Sequence, residues 1–290
     1  MPMTRKRFFT ILIVGVVLLF LVLIARRLIS GTPMGEKVAI IEIIGTISST
    51  ETVLDQIHQY RDDQTVKAIV LRINSPGGSV APVQEVWSEL RKVEKPIVVS
   101  MGSTAASGGY YIACAADEIF ANPGTLTGSI GVIMQFTKMK GLYEKVGLEE
   151  QVIKSGKFKD TGSAMRNLTK EERALLQDTI NDVHDQFVDA IFEGRKEHLT
   201  RNEIIALADG RIFSGQQALA HNLVDRLGNL PDAIELAGTL GGIPGKPKTI
   251  RTKRKTSLLD RLLGVTAERR LDRLLNNPGV TFRYELHFAE

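Results

Sequence analysis

The segment Ile97–Tyr111, IVVSMGSTAASGGYY, decides the fold. Ile97–Met101 is a short apolar run rich in β-branched residues and reads as a buried strand. Small residues follow, and a helix starts near Ser107. Working outward from this segment, the same strand-then-helix unit recurs. Val38–Ile43 (VAIIEI) reads as a strand and Glu51–Arg61 as a helix. Ala68–Ile73 (AIVLRI) is another strand, stopped by Asn74-Ser75-Pro76-Gly77-Gly78. Ser79–Val93 has helical spacing at Val83, Val86, Trp87 and Leu90. From Lys170 to about Glu197 the pattern is helical, with Leu175, Leu176, Ile180, Val183, Phe187 and Ile191 on one stripe. Short apolar strands separated by amphipathic helices imply an α/β fold of parallel strands joined by right-handed crossovers.

The 290 residues include 37 Lys+Arg and 33 Asp+Glu, a net charge of +4; 43% are apolar and 24% charged. This composition excludes a disordered or collagen-like chain. The single cysteine, Cys114, excludes an intramolecular disulfide framework and a cysteine-rich zinc site. Residues 1–30 carry +5 and residues 246–290 carry +6, which leaves −7 for residues 31–245. An acidic body with basic ends argues against nucleic-acid binding. It suits ends that lie near an anionic surface such as a membrane. Nothing in the sequence signals a required metal or cofactor.

Phe8–Ala25 (FFTILIVGVVLLFLVLIA) contains no charged residue. As a helix it spans roughly 27 Å, close to the hydrocarbon thickness of a bilayer. The run ends directly in Arg26 and Arg27 without a small-x-small site, which favours an uncleaved anchor over a secretory signal. Arg5, Lys6 and Arg7 precede the span and two arginines follow it. The positive-inside rule therefore places the amino terminus in the cytoplasm and the remainder outside it. Residues 30–35 (SGTPMG) form a short linker.

Three glycine-rich turns carry the chemistry: Asn74–Gly78, Ser103–Gly109 and Gly124–Gly131. None has the spacing of a phosphate or dinucleotide loop. In the second turn Ser107 is flanked by Ala106 and Gly108, so its hydroxyl is uncrowded. The adjoining helix start offers backbone N–H groups that can stabilise an oxyanion if the serine attacks a carbonyl. A second donor must come from elsewhere, and the Pro76-Gly77-Gly78 turn ends the neighbouring strand. Serine needs a base. None of the five histidines lies between residues 59 and 183, and His184, set among charges, reads as a solvated face residue. A lysine serves if burial lowers its pKa. Ile153–Asp160 (IKSGKFKD) offers Lys154, Lys157 and Lys159, and the chemistry alone does not choose among them.

Five segments, in this order, complete the picture: Ile73–Val80, Met101–Tyr111, Leu126–Val132, Ile153–Asp160, and Asp209-Gly210-Arg211 continuing to Leu223-Val224-Asp225. Together they resemble the signal peptide peptidase A family, the short bacterial form of the membrane-bound serine–lysine peptidases, over about residues 36–235. The resemblance implies a crotonase-like, Clp-protease-like spiral of parallel strands and helices that assembles into a homo-oligomeric ring. Ser107 would be the nucleophile, Lys159 the general base and Ser129 the serine that orients the lysine. The amides of Gly78 and Gly108 would form the oxyanion hole. Remnant signal peptides and other membrane-associated peptides would be substrates at the bacterial inner membrane. The family usually has glycine at position 222; Asn222 tolerates the same left-handed backbone. Tyr110, Ile112, Leu126, Ile130 and Ile133 are candidates to line a dry site. The chain then divides into a cytoplasmic stub and anchor (1–29), a linker (30–35), a peptidase domain (36–240), and a basic linker with a helix and strand tail (241–290).

Two rivals are a crotonase-fold acyl-CoA enzyme, which uses paired amides without a covalent serine, and a non-catalytic membrane scaffold. Ser107 with Lys159, behind an anchor, argues against both. In the tail, Lys246–Lys255 reads as an exposed linker and 258–275 as an interrupted helix. Val280, Phe282, Tyr284, Leu286 and Phe288 alternate with polar residues, a strand pattern. Such a strand must pair with a sheet edge, a substrate groove or the membrane surface. The expectation here is docking on a neighbouring subunit.

Overall fold

The computed structural model describes residues 15–21, residues 35–252 and the backbone of 283–285. Residues 15–21 are helical (α1), with Val16 to Leu21 all exposed. The body runs β1 (Lys37–Ile44), α2 (Glu51–Asp62), β2 (Val66–Ser75), β3 (Gly77–Ser79), α3 (Val80–Leu90), β4 (Ile97–Ala106), α4 (Gly108–Ala113), β5 (Glu118–Ala121) and β6 (Leu126–Gly128). It continues with α5 (Lys140–Val146), α6 (Lys170–Arg195), α7 (Arg201–Leu207), β7 (Ile212–Ser214), α8 (Gly215–Ala220), β8 (Arg226–Leu227), α9 (Leu230–Leu240), β9 (Lys248–Arg251) and β10 (Arg283–Glu285).

The main sheet has the order β7-β6-β4-β2-β1-β9. Its pairs are parallel except β6 with β7, and β5 lies beside β4 with β8 beside β5. β4 is shared between two neighbours. Its first half, Val98–Ser100, pairs with β5, and its second half, Thr104–Ala106, pairs with β6. This fork leaves the strand's far end, and Ser107 after it, between two diverging parts of the sheet.

Both faces of the central strands are covered, so Val38–Ile41 of β1 and Ala68–Leu71 of β2 are apolar at every position. Ala39, Ile41, Ile69, Leu71, Val99 and Met101 point to one face, beneath α3, α4 and α6. Val38, Ile40, Ala68, Val70 and Val98 point to the other, against Ala233 and Ala237 of α9. Side chains alternate along a strand, so each strand feeds both cores.

α6 starts with a capping box, Thr169 with Glu172. It buries Val183, Phe187 and Ile191, whereas Leu175 is exposed: the expected stripe is a core face only from Val183 onward. At the far end, buried Arg195 ties α6 to the turn before β8. Its Nη1 donates to Asp225 at 2.8 Å and its Nη2 to the Asn222 carbonyl at 2.8 Å. Asn222 has φ 56°, the left-handed conformation expected of it. Asp225 also accepts from the Ile119 amide at 2.8 Å, which fixes the start of β5.

One expectation changes, and three fall wholly or partly outside the described residues. The basic stretch 246–255 is not simply a linker, because Lys248–Arg251 adds to the edge of the sheet beside β1. A short, charged edge strand has no apolar period to announce it and discourages further pairing. The membrane span is seen only at 15–21. Among the described residues no helix is long and apolar enough to cross a membrane, and the rest of 8–25 lies outside them. The tail helix at 258–275 also lies outside the described residues. Of the 280–288 strand, residues 283–285 are described, and within the single chain they pair with β3.

A close approach of two helical elements tests this packing. A Cβ on Gly194 of α6 would stand 1.8 Å from the Cys114 carbonyl oxygen at the end of α4. Gly194→Ala is expected to destabilise the protein by about 1–3 kcal/mol through overpacking. Urea unfolding checks this; an unchanged midpoint would mean that α6 does not seat on α4 as described.

Candidate active site

Ser107 is placed by three elements. β4 delivers it, α4 begins at the next residue, and its amide donates to the Gly128 carbonyl at 2.7 Å, joining it to the end of β6. Its backbone is at φ 54°, ψ −117°, a region that L-residues seldom enter. Such a conformation persists only where the surroundings enforce it, and it occurs mainly at functional sites. Ser107 is 1% exposed and makes no capping hydrogen bond to α4. A helix of six residues has little macrodipole, so any field at the hydroxyl comes from individual amides.

The glycines around it are demanded by space. A Cβ on Gly108 would lie 2.7 Å from Val83 Cγ2 and 3.3 Å from the Gly78 nitrogen. A Cβ on Gly78 would meet the Ile47 carbonyl oxygen at 2.1 Å. The backbones of 77–78 and 108 are therefore in contact beside Ser107, which puts the two expected oxyanion amides next to the expected nucleophile.

Ser129 follows β6 as Ser107 follows β4, and Ala106 pairs with Gly128 in the parallel ladder. The two serines therefore leave adjacent strands at the same level. Ser129 is also left-handed, at φ 50°, and its amide donates to the Arg211 carbonyl at 2.8 Å. It borders a cavity of about 640 Å³ lined also by Val132, Ile133, Ile180 and His184. Of the apolar candidates, Tyr110, Ile112 and Ile130 are fully buried core, and Tyr110 Oη donates to the Leu223 carbonyl at 2.9 Å. Only Ile133 among the five lines this cavity.

His184 is not a solvated face residue. It is half-buried, its Nε2 donates to the Ala208 carbonyl at 2.8 Å, and it shares the cavity with Ser129. The signal was present: position 184 lies four residues after Ile180 and one after Val183, on the edge of the same stripe.

Lys159 is exposed, and the structure does not join it to either serine. The other two lysines of the segment hold carboxylates. Lys154 Nζ pairs with Asp160 at 2.5 Å, and Lys157 pairs with Glu171. Among the described residues the Lys159 side chain has no ion pair. Arg166 binds both Asp160, at 2.9 Å, and Glu172, and so fastens the Lys159 turn to the start of α6. Hydrogen bonds from Arg166 and then Lys154 hold the Asp160 carboxyl well below the usual carboxylate range. Arg166, then the Thr169 amide, brings Glu172 down to about 2. Cys114 is no rival nucleophile, since burial pushes its thiol up to about 12. Among the described residues no cluster of side chains could hold a metal ion.

Comparison with known proteins fits this geometry. The model of peptidase family S49 matches residues 89–243, and that of Clp protease matches residues 35–127. The sheet and its helices thus form a Clp-protease-like α/β fold. The "Putative protease" of Synechocystis sp. is 41% identical over 254 residues, covering 86% of this chain and 90% of that protein. The "Putative signal peptide peptidase SppA" of Enterococcus faecium is 40% identical over 185 residues, 63% of this chain and 53% of the relative. The chloroplast "Serine protease SPPA" of Arabidopsis thaliana is 33% identical over 256 residues, 83% of this chain and 38% of the relative. The chain thus spans most of the first relative but only about half and about two-fifths of the other two. The strained serine and its paired glycines lie within the matched regions, and the chain is a serine peptidase that belongs to family S49.

Proposed function

We propose that this peptidase is a membrane-anchored endopeptidase that degrades remnant signal peptides with a Ser107–Lys159 dyad. The observation that carries the reading is Ser107, held left-handed and packed beside the backbones of Gly78 and Gly108. Neutral Lys159 takes the Ser107 hydroxyl proton as Oγ attacks the peptide carbonyl. The Gly78 and Gly108 amides hold the tetrahedral oxyanion, each worth about 3 kcal/mol of barrier. Lys159 returns the proton to the leaving amine, and water then hydrolyses the acyl-enzyme. Ser129 positions the lysine amine toward Ser107.

Lys159 is favoured over its neighbours by charge. The Nζ atoms of Lys154 and Lys157 are taken up by the carboxylates of Asp160 and Glu171, whereas Lys159 has no ion pair among the described residues. A lysine base must also be dry, and Lys159 is exposed in the single chain. In the segment that leads to it, Leu142, Val146, Leu148, Val152, Ile153 and Phe158 are all exposed. A surface of this kind is what a second copy would cover, and this supports a homo-oligomeric ring in which a neighbour shields Lys159. The exposed apolar residues of α1 and the charge-free run around them support a bilayer anchor with a cytoplasmic amino terminus. The catalytic domain is then extracytoplasmic. The printed name of the Enterococcus relative supports the substrate class.

Ser107→Ala and Lys159→Ala are each expected to abolish peptide cleavage while leaving the unfolding transition in place. The double variant should be little worse than either single one, because the residues act as a unit. Cleavage assays check this; substantial turnover in Lys159→Ala, with Lys154 or Lys157 essential instead, would move the base.

Ser129→Ala should lower turnover yet leave Ser107 reactive toward a fluorophosphonate, as befits a positioning hydroxyl. Unchanged turnover would make Ser129 a structural turn residue.

A further inference from the structure

The segment Ala208–Arg211 connects α7 to β7 and is the backbone on which Ser129 rests. The Ser129 amide donates to the Arg211 carbonyl at 2.8 Å, and the Gly210 amide donates to the Ile130 carbonyl at 3.0 Å. A left-handed serine persists only where its surroundings enforce it, and these two bonds flank the Ser129 backbone at φ 50°. The allowed rotamers of a side chain follow its backbone, so the Ser129 hydroxyl points where this pair of bonds holds it. Close packing fixes the segment only in part. A Cβ on Gly210 would meet nothing within 4 Å, and Asp209 and Gly210 border the cavity of about 640 Å³. Asp209 is spent within the segment. Its carboxylate accepts from the Arg211 amide at 3.1 Å and pairs with the Arg211 guanidinium, which stiffens the turn without tying it to the body. α6 forms another wall of the cavity through Ile180, Asn181 and His184. From there His184 Nε2 donates to the Ala208 carbonyl at 2.8 Å. α6 is itself seated by buried Val183 and Phe187, on either side of His184 in the sequence. The histidine therefore ties the support of Ser129 to the core at the edge of an open cavity.

We infer that His184 is a positioning residue for the peptidase: its imidazole N–H holds segment 208–211, and through that segment it sets the Ser129 hydroxyl that orients Lys159. The inference rests on the proposed role of Ser129, and His184 acts only through that serine. The bond needs a proton on Nε2, which the imidazolium and one of the two neutral tautomers both carry. The support therefore survives titration of the ring. Catalysis is sensitive to such a support, because a misplacement of about 1 Å in a positioned group can cost on the order of a hundredfold in rate.

The test is a double-substitution cycle read in turnover of a chromogenic peptide. Values of kcat are expressed per Ser107 that a fluorophosphonate labels, so unfolded molecules drop out. The unaltered full chain is compared with His184→Leu, His184→Gln, Ser129→Ala and the Ser129→Ala/His184→Leu pair. His184→Leu is expected to lower kcat on the order of tenfold, with KM little changed. His184→Gln carries an N–H at the same bond distance from Cβ and should recover most of that loss. In the Ser129→Ala background His184→Leu should have little further effect, because residues that act through one another do not add. Equal losses in both backgrounds would overturn the inference, since His184 would then act independently of Ser129. A loss in His184→Gln as large as that in His184→Leu would also overturn it, as would unchanged turnover in His184→Leu. If Ser129→Ala alone left turnover unchanged, the proposed role of Ser129 would fall and the inference with it. Lowered turnover in Ser129→Ala, with additive losses, would overturn the role of His184 alone.

Discussion

The site depends on one backbone conformation, the left-handed turn at Ser107. A non-glycine residue there costs on the order of 1–3 kcal/mol, which the rest of the structure must offset. The offset is visible. The Ser107 amide is fixed on Gly128, α4 is wholly buried, and Gly108 sits where any larger residue would strike Val83. The forked sheet supplies the geometry. β4 pairs first with β5 and then with β6, so its end is clasped from one side by β6 and from the other by the β2–β3 turn. Relaxing Ser107 would require breaking the β4–β6 ladder or separating the paired glycines.

The catalytic parts differ in how firmly they are held. Ser107, Gly78 and Gly108 belong to the close-packed body, where positions are set to within a few tenths of an ångström by steric contact. Lys159 belongs to an exposed turn joined to α6 through Arg166, Asp160 and Glu172. Those ion pairs are partly buried and Glu172 wholly so, but the Lys159 side chain itself is exposed and has no ion pair among the described residues. On the proposed reading, the nucleophile and the oxyanion donors are preorganised within one chain, whereas the base would gain a dry environment only from a neighbouring copy.

The sequence made part of this legible. β1, β2 and the first half of β4 are β-branched runs buried on both faces, and their pattern is local. The second half of β4, Gly102–Ala106, carries no apolar period, and its strand character comes from pairing with β6. Strands of two or three residues, such as β7 and β8, are too short to show a period at all. Ser107 could be singled out from its small neighbours. Gly78, Gly108, Ser129 and Lys159 were assigned roles only through the family resemblance, because what distinguishes them is spatial: a neighbouring backbone that leaves no room for a Cβ, a carbonyl on another strand, or the lack of an ion pair among the described residues. The alternation over 280–288 announced a strand, but its partner, some two hundred residues away in sequence, had no local signature.

The most direct test of the central claim is the structure of the protein after reaction with a fluorophosphonate. The account predicts phosphorus bonded to Ser107 Oγ, with the phosphoryl oxygen within hydrogen-bonding distance of both the Gly78 and Gly108 nitrogens. An adduct on another residue would contradict it, as would a phosphoryl oxygen turned away from both amides.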